Sequence, residues 1–296
     1  MITAKNVTKQ YDNFLALDDV SFSFEDGEIF GIIGHNGAGK TTLLKIVSGL
    51  VAPTKGELYI NDIDVVKNPL ALKENLGYLP EESRLYETMT AENYLAFFGE
   101  IYGLSPQEIA VRSRQLFAAL TLEPDGKKIG EFSKGMKRKV AIARSLIHDP
   151  SFLVYDEATS GLDPMTSRFI SDYLRTLKKE GKTIVLSAHN LYQVEAICDK
   201  VMILRRGKMA AFGTMHELRD QFGSITYSIF FSLDDPGKLL GHAKPYRQEE
   251  GFWVCEVQDI RELNECSTAI TEAGGRVERI ESRYPSLEEM LLAIGK

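Results

Sequence analysis

No run of 18 apolar residues occurs in this 296-residue sequence, so no stretch is long enough to cross a bilayer as a helix. Any role at a membrane then passes through a partner. Cysteine is scarce. Cys198, Cys255 and Cys266 form no C-x-x-C pair and are odd in number, which argues against a disulfide framework and for packing roles in a reduced, cytosolic setting. Excess basic charge is also missing: 35 Lys and Arg stand against 42 Asp and Glu, for a net charge of −7. A broad nucleic-acid face is therefore not expected. There is no internal repeat, low-complexity tract or long heptad array. The first residues, Met1-Ile2-Thr3-Ala4-Lys5, do not begin a secretory pattern. What remains is an ordinary globular composition, 44% hydrophobic and 26% charged, with a length that suggests about two domains.

The most informative stretch is Gly34-His35-Asn36-Gly37-Ala38-Gly39-Lys40-Thr41-Thr42, which fits G-x-x-x-x-G-K-[ST]. Glu28 to Ile33 before it reads as a buried strand, and Leu43 to Val47 after it as the opening of a helix. In that context the glycines let backbone N–H groups turn toward phosphate, and the helix N-terminus adds positive potential. Lys40 is expected to reach the β- and γ-phosphates and the Thr41 hydroxyl to hold Mg²⁺.

Short strands are expected at Ile2 to Val7 and Ser21 to Phe24, with Tyr11 in the first turn and Asp26-Gly27 as a hairpin signal. An exposed aromatic at Tyr11 can stack on a base or pack into a core. Further strands are expected at Glu57 to Ile60 and Leu76 to Leu79, the latter ended by Pro80 and the acidic pair Glu81-Glu82. Residues 88–148 read as helical, with caps at Thr90, Ser105 and Ser133. The run Phe152-Leu153-Val154-Tyr155 suits a strand buried on both faces, and Asp156-Glu157 closes it. Asp163-Pro164 caps the next helix, Thr183 to Ser187 is another buried strand, and Ala188-His189 follows. A hairpin is expected at Arg206-Gly207. Near Phe222-Gly223-Ser224 the composition changes. Residues 221–296 then read as a separate small α+β domain with strands at 225–233 and 251–257, a polar stretch between them, and helices at 260–273 and 285–294.

In a parallel sheet, ligands bind beyond the carboxyl ends of strands. Asp156 is placed there to hold Mg²⁺, Glu157 to act as general base, and His189 to donate to the γ-phosphate. Taken singly, the acids could equally cap a helix, and the histidine could simply pack or face water.

Taken together, residues 1–220 resemble the nucleotide-binding domain of ABC transporters. Gly34 to Thr42 is similar to the Walker A loop, Leu153 to Glu157 to Walker B with its catalytic glutamate, Ser160-Gly161-Leu162-Asp163 to the D-loop, and Ser187-Ala188-His189 to the switch histidine. Phe132-Ser133-Lys134-Gly135-Met136 occupies the signature position, where Lys134 and Met136 depart from the usual Gly and Gln. Glu81 stands where the Q-loop glutamine is usual. The resemblance implies an α/β P-loop NTPase core of RecA-like type with an antiparallel β subdomain and a helical subdomain at about 88–148. It also implies that Tyr11 stacks on adenine, and that His35, Asn36, Gly37, Ala38, Gly39 and Thr42 line the ATP site with Gly34 and Lys40.

The resemblance further implies ATP and Mg²⁺ as cofactors. Ser133, Lys134, Gly135 and Met136 would face the ATP of a partner ATPase subunit, in a homodimer or heterodimer. A separate integral membrane permease would hold the assembly on the cytoplasmic face of the cell membrane. The added C-terminal domain looks most like exporter-type ATPases. Two other functions fit a lone ATPase domain. One is a mechanical ABC ATPase on ribosomes or DNA, disfavoured by the acidic charge and missing coiled coil. The other is a regulator that uses ATP binding alone, left open by Glu81 and the altered signature.

Overall fold

The computed structural model describes residues 1–223, 225–234 and 246–295. Ser224, at the expected change of composition, and most of the polar stretch after Leu233 lie outside the described residues. The chain divides into two compact units, Met1–Met215 and His216–Lys296, so the helix over 215–222 falls almost wholly in the second.

In the first unit, β1 (Ile2–Tyr11) and β2 (Phe14–Phe24) form a long antiparallel pair. Next come β3 (Ile29–Ile33), α1 (Lys40–Val47), β4 (Lys55–Ile60), β5 (Ile63–Asp64), α2 (Pro69–Lys73) and β6 (Leu76–Leu79). Three helices follow, α3 (Ala91–Ile101), α4 (Pro106–Ala119) and α5 (Lys134–Leu146). The unit is completed by β7 (Phe152–Asp156), α6 (Pro164–Lys179), β8 (Thr183–Ser187), α7 (Leu191–Ile197), β9 (Lys200–Arg205) and β10 (Lys208–Thr214).

Two sheets result. The antiparallel one has the order β2-β1-β4-β5. The other has the order β10-β9-β3-β8-β7-β6, parallel from β9 to β6 with β10 antiparallel at its edge. Every residue of β3, β7 and β8 is buried, as expected of central parallel strands covered on both faces. Phe22, Phe24 and Phe30 meet where the two sheets face each other, with ring centroids 4.6–6.2 Å apart.

Two local expectations change. Asp26-Gly27 is a turn, but it carries the chain from the antiparallel sheet into β3 of the parallel one, so no hairpin forms there. Tyr11 is the last residue of β1 and lies outside the turn that follows. The expected helix starts hold: Thr90 and Ser133 each accept a backbone N–H, and Ser105 with Glu108 forms a reciprocal capping box. Arg206-Gly207 turns β9 into β10.

The second unit carries α8 (Met215–Phe222), β11 (Thr226–Ser232), β12 (Tyr246–Glu249), β13 (Phe252–Val257), α9 (Ile260–Glu272), β14 (Arg276–Arg283) and α10 (Leu287–Gly295). Its antiparallel sheet has the order β12-β13-β11-β14. One face, with Ile229, Phe231, Cys255 and Val257, packs on Cys266 and Ile270 of α9. All three cysteines are buried and free.

At the end of the helical segment, the His148 ring stacks on Tyr102 at 3.6 Å, and its Nε2 lies 3.1 Å from the Leu76 carbonyl. Burial holds this imidazole neutral, with its pKa lowered from 6.5 to about 4. The unfolded chain takes up a proton there before the folded chain does. Stability from this group is therefore complete above about pH 6.5 and drains away as the pH falls toward about 4. Denaturant midpoints should fall over that window. They should fall less in His148→Phe, which keeps the ring stack without the titrating group.

Candidate nucleotide site

The glycine loop sits where β3 ends and α1 begins. Gly34 has φ 153° and Gly39 φ 108°, and neither position has room for a side chain. A Cβ on Gly34 would lie 2.3 Å from the Leu204 carbonyl oxygen, and one on Gly39 would lie 2.6 Å from that of Ala16. The loop is thus clamped between β2 and the β9–β10 turn. Its Ala38 carbonyl accepts from the Gly207 N–H, and the Gly207 carbonyl accepts from the Asp18 N–H. Gly39→Ala should cost at least about 1–2 kcal/mol from left-handed strain alone and should lower nucleotide affinity. Thermal melting with and without ATP would measure both.

Lys40 is the first residue of α1 and is buried. Its Nζ donates to the Gly34 carbonyl at 2.8 Å and to the His35 carbonyl at 3.3 Å, so the ammonium lies across the loop it belongs to. Burial lowers its pKa, and the carboxylates of Glu157, Asp156 and Glu81 push the other way. Three acids from two separate segments therefore converge on one cation. Thr41 is exposed beside it, and Thr42 is half-buried. In this loop His35, Asn36 and Gly37 are exposed, while Ala38 is buried.

The acids come from the end of β7. Asp156 pairs in register with Ser187 of β8, whose hydroxyl donates to Asp156 Oδ1 at 2.5 Å. Glu157 steps out of the strand with φ 50°, a left-handed backbone that a glutamate rarely adopts. Its N–H donates to both the carbonyl and the hydroxyl of Ser187, at 3.2 and 3.1 Å. Its carboxylate is buried and meets His189 Nε2 at 2.6 Å. His189 is half exposed and sits just past β8. Two adjacent parallel strands thus deliver an acid and an imidazole to one spot beyond their carboxyl ends.

The other named residues lie around this centre. Ser133 caps α5, its Oγ accepting from the Met136 N–H at 3.2 Å. Lys134 reaches toward the 160–163 turn, where a Cβ on Gly161 would lie 2.1 Å from its Nζ. Gly135 packs against Thr166 of α6. Asp163 caps α6 by accepting from the Thr166 N–H at 2.9 Å, and the Thr166 hydroxyl first, with that N–H, holds its carboxyl below the usual range. Glu81 and Lys134 line one cleft of about 630 Å³ with Ser83, Leu85, Lys137 and Ser160. Tyr11 is 41% exposed, with Lys9 Nζ 4.9 Å from its ring centroid.

A family model described as ABC transporter matches residues 17–160, and one described as the ATP-binding protein DrrA1-3-like C-terminal domain matches residues 213–292. The ABC transporter ATP-binding protein NatA of Bacillus subtilis (strain 168) is 39% identical over 237 residues, covering 78% of this chain and 96% of NatA. The chain belongs to the ABC transporter family. The Nod factor export ATP-binding protein I of Rhizobium sp. (strain N33) is 33% identical over 302 residues, covering 99% of this chain and 96% of its own. Among solved structures, the dimeric post-hydrolysis ATP-binding cassette MJ0796 bound to ADP and Pi superposes with a TM-score of 0.68 at 27% identity. It covers 73% of this chain and 99% of that one. The α/β core is therefore that of an ABC ATPase, as the resemblance implied.

Two groups of this ABC ATPase escaped sequence reasoning. Ser187 orients Asp156, a role that its place at the end of an apolar strand, two residues before the switch-position histidine, does not reveal. Arg138 is a buried guanidinium inside α5. Its one trace in sequence is a basic residue just ahead of the buried run Val140 to Ala143. The Gly207 turn that closes the glycine loop was legible as a hairpin, but its contact with Ala38 was not.

Proposed function

We propose that this chain is an ATP-hydrolysing subunit that pairs head to tail with a second ATPase subunit and energises export through a separate membrane permease. The ATPase reading is carried by one observation: Lys40, Asp156, Glu157 and His189 gather where β3, β7 and β8 end. In this reading the glycine-loop N–H groups cradle the phosphates, and Lys40 swings from the Gly34 carbonyl to the β- and γ-phosphates. Glu157 draws a proton from the attacking water, and His189, whose Nε2 meets the Glu157 carboxylate in the free protein, shifts to donate toward the γ-phosphate when nucleotide binds. Tyr11 is the adenine platform.

Thr41 Oγ1 and the Asp156 carboxylate are hard oxygen donors of the kind Mg²⁺ takes. No group of three His, Cys, Asp or Glu forms an all-protein metal site among the described residues, so the nucleotide's own oxygens would complete the shell. Bound there, Mg²⁺ would offset phosphate charge. The N-terminus of α5, with Ser133, Lys134, Gly135 and Met136, would face the partner's ATP, and Asp163 would stand beside it.

Several observations support transport. No helix among the described residues is long and apolar enough to cross a membrane. Next to the cleft at Glu81 to Leu85, the side chains of Tyr86 and Phe97 are 51% and 40% exposed with ring centroids 5.9 Å apart, which suits a docking helix of a permease. Relatives are named for Nod factor export and for linearmycin resistance. Affinity capture of the full chain from membranes should bring down a multi-span protein and yield ATP turnover. Recovery of ribosomal RNA or DNA that survives moderate salt, with no membrane protein, would overturn the transport reading. Deleting residues 216–296 should leave ATP affinity unchanged by equilibrium titration, since every proposed nucleotide residue of this chain lies within Met1–Met215.

A further inference from the structure

The fixed point behind Glu157 is Arg138. This arginine lies one turn into α5, five residues after the signature-position serine, and is 8% exposed. Its guanidinium faces no carboxylate at hydrogen-bond distance. It donates instead to main-chain carbonyls: Nε to Ala158 at 2.9 Å, and Nη2 to Asp156 at 3.0 Å and Glu157 at 2.8 Å. Nη1 donates to Pro80 at 2.8 Å, Glu81 at 3.0 Å and the Ser83 hydroxyl at 3.3 Å. An arginine has five N–H donors, so all of them are engaged by these six acceptors.

Two features give that arrangement a consequence. First, the carbonyls of three successive residues, Asp156, Glu157 and Ala158, are held by one rigid planar group. The middle one is the glutamate with φ 50°. A non-glycine residue keeps such a backbone only where its surroundings over-determine it. The Ser187 bonds fix the N–H side of Glu157, and Arg138 fixes the carbonyl side. Second, the same group holds the turn that carries Glu81, so one side chain ties the start of α5 to both the acid pair and the Glu81 turn. Burial lowers the Arg138 pKa only to about 10, so the group stays cationic at neutral pH.

On the ATPase reading above, we propose that Arg138 is a positioning residue: it holds the strained backbone of Glu157 so that the carboxylate points at the attacking water. It touches neither nucleotide nor water. Lysine cannot substitute, because three donors on one atom do not reach carbonyls on both segments. Arg138→Lys keeps the charge and loses the fork.

The test compares purified wild-type complex, Arg138→Lys, Glu157→Gln and the double variant, with MgATP affinity, kcat and single-turnover rate for each. Arg138→Lys should lower kcat roughly 10- to 100-fold while ATP affinity stays within about threefold, as expected when a reacting group is displaced by about 1 Å. In the Glu157→Gln background the same change should cost little more, because its effect passes through that carboxylate. Wild-type kcat in a folded Arg138→Lys complex would overturn the inference. So would full additivity with Glu157→Gln, or a parallel loss of affinity and kcat. Arg138→Gln is the second variant. If neither it nor Arg138→Lys shows cooperative melting, Arg138 is structural and the positioning role fails. A wild-type complex with no ATP turnover would instead sink the ATPase reading and is told apart by that one assay.

Discussion

Glu157→Gln should lower kcat by roughly 10²- to 10⁴-fold, the range general-base catalysis contributes, while ATP binding is kept. Glutamine is nearly the same shape and can still contact His189, so the strand end should remain folded. It cannot take a proton. The consequence reaches beyond the rate. If the two subunits close over ATP and part after hydrolysis, the variant should accumulate as a closed dimer with ATP and run as a monomer without it. Size-exclusion chromatography with and without MgATP reads this directly. A variant with the wild-type turnover rate would remove Glu157 from the role of base. One that stays monomeric with ATP at high protein concentration would count against the closed sandwich.

The second large effect is expected at Lys40. Glu157, Asp156 and Glu81 all act on its ammonium. Lys40→Ala takes away that charge and the hydrogen bonds to the phosphates. Each bond to a charged group is worth about 1.5–3 kcal/mol, so loss of one or two should weaken ATP binding by about 10- to 10⁴-fold. Turnover should vanish with it. The carboxylates of Glu157, Asp156 and Glu81 would then face the triphosphate without the Lys40 charge, so added salt should restore part of the binding by screening. The fold should survive, because the two hydrogen bonds that Lys40 makes, to the Gly34 and His35 carbonyls, stay within its own loop and hold no other element in place. Equilibrium titration with ATP and a thermal melt check both halves. Unchanged affinity in a folded variant would show that the loop does not bind nucleotide through Lys40.

Glu81 links both results. On the proposed site, a carboxylate in this position would add negative charge beside the phosphates. Lys134 supplies positive charge along the same cleft. How this balance plays out would show in Glu81→Gln, which is expected to tighten MgATP binding by removing one repulsive charge. The same titration reports it.

Much of the site was legible in the chain itself. A buried strand, a glycine loop and a helix opening gave the phosphate cradle, because strand burial and helix capping are read from neighbours in sequence. Phe152 to Tyr155 announced a central strand by being apolar on both faces, and Asp156-Glu157 stood at its end. Local turn chemistry was less reliable. Asp26-Gly27 carries the residues of a hairpin, but which strand lies beyond it depends on hydrogen-bond partners far away in sequence. Tyr11 was assigned to a turn because the polar and charged residues of β1 and β2 hide their pairing.

By itself, then, the sequence determined the strands and helices that flank the glycine loop and the acid pair, and the chemical inventory of the P-loop centre. Periodicity, capping and glycine placement are short-range properties. Tertiary structure alone decided what meets what. It set the strand order that brings β7 and β8 side by side and so presses His189 onto Glu157. It let Ser187 orient Asp156 across that strand pair. It also buried Arg138 where its donors find three carbonyls of one segment and two of another. Those contacts span about 20 to 60 residues. No local pattern encodes them, because backbone carbonyls look the same at every position until the fold brings them together.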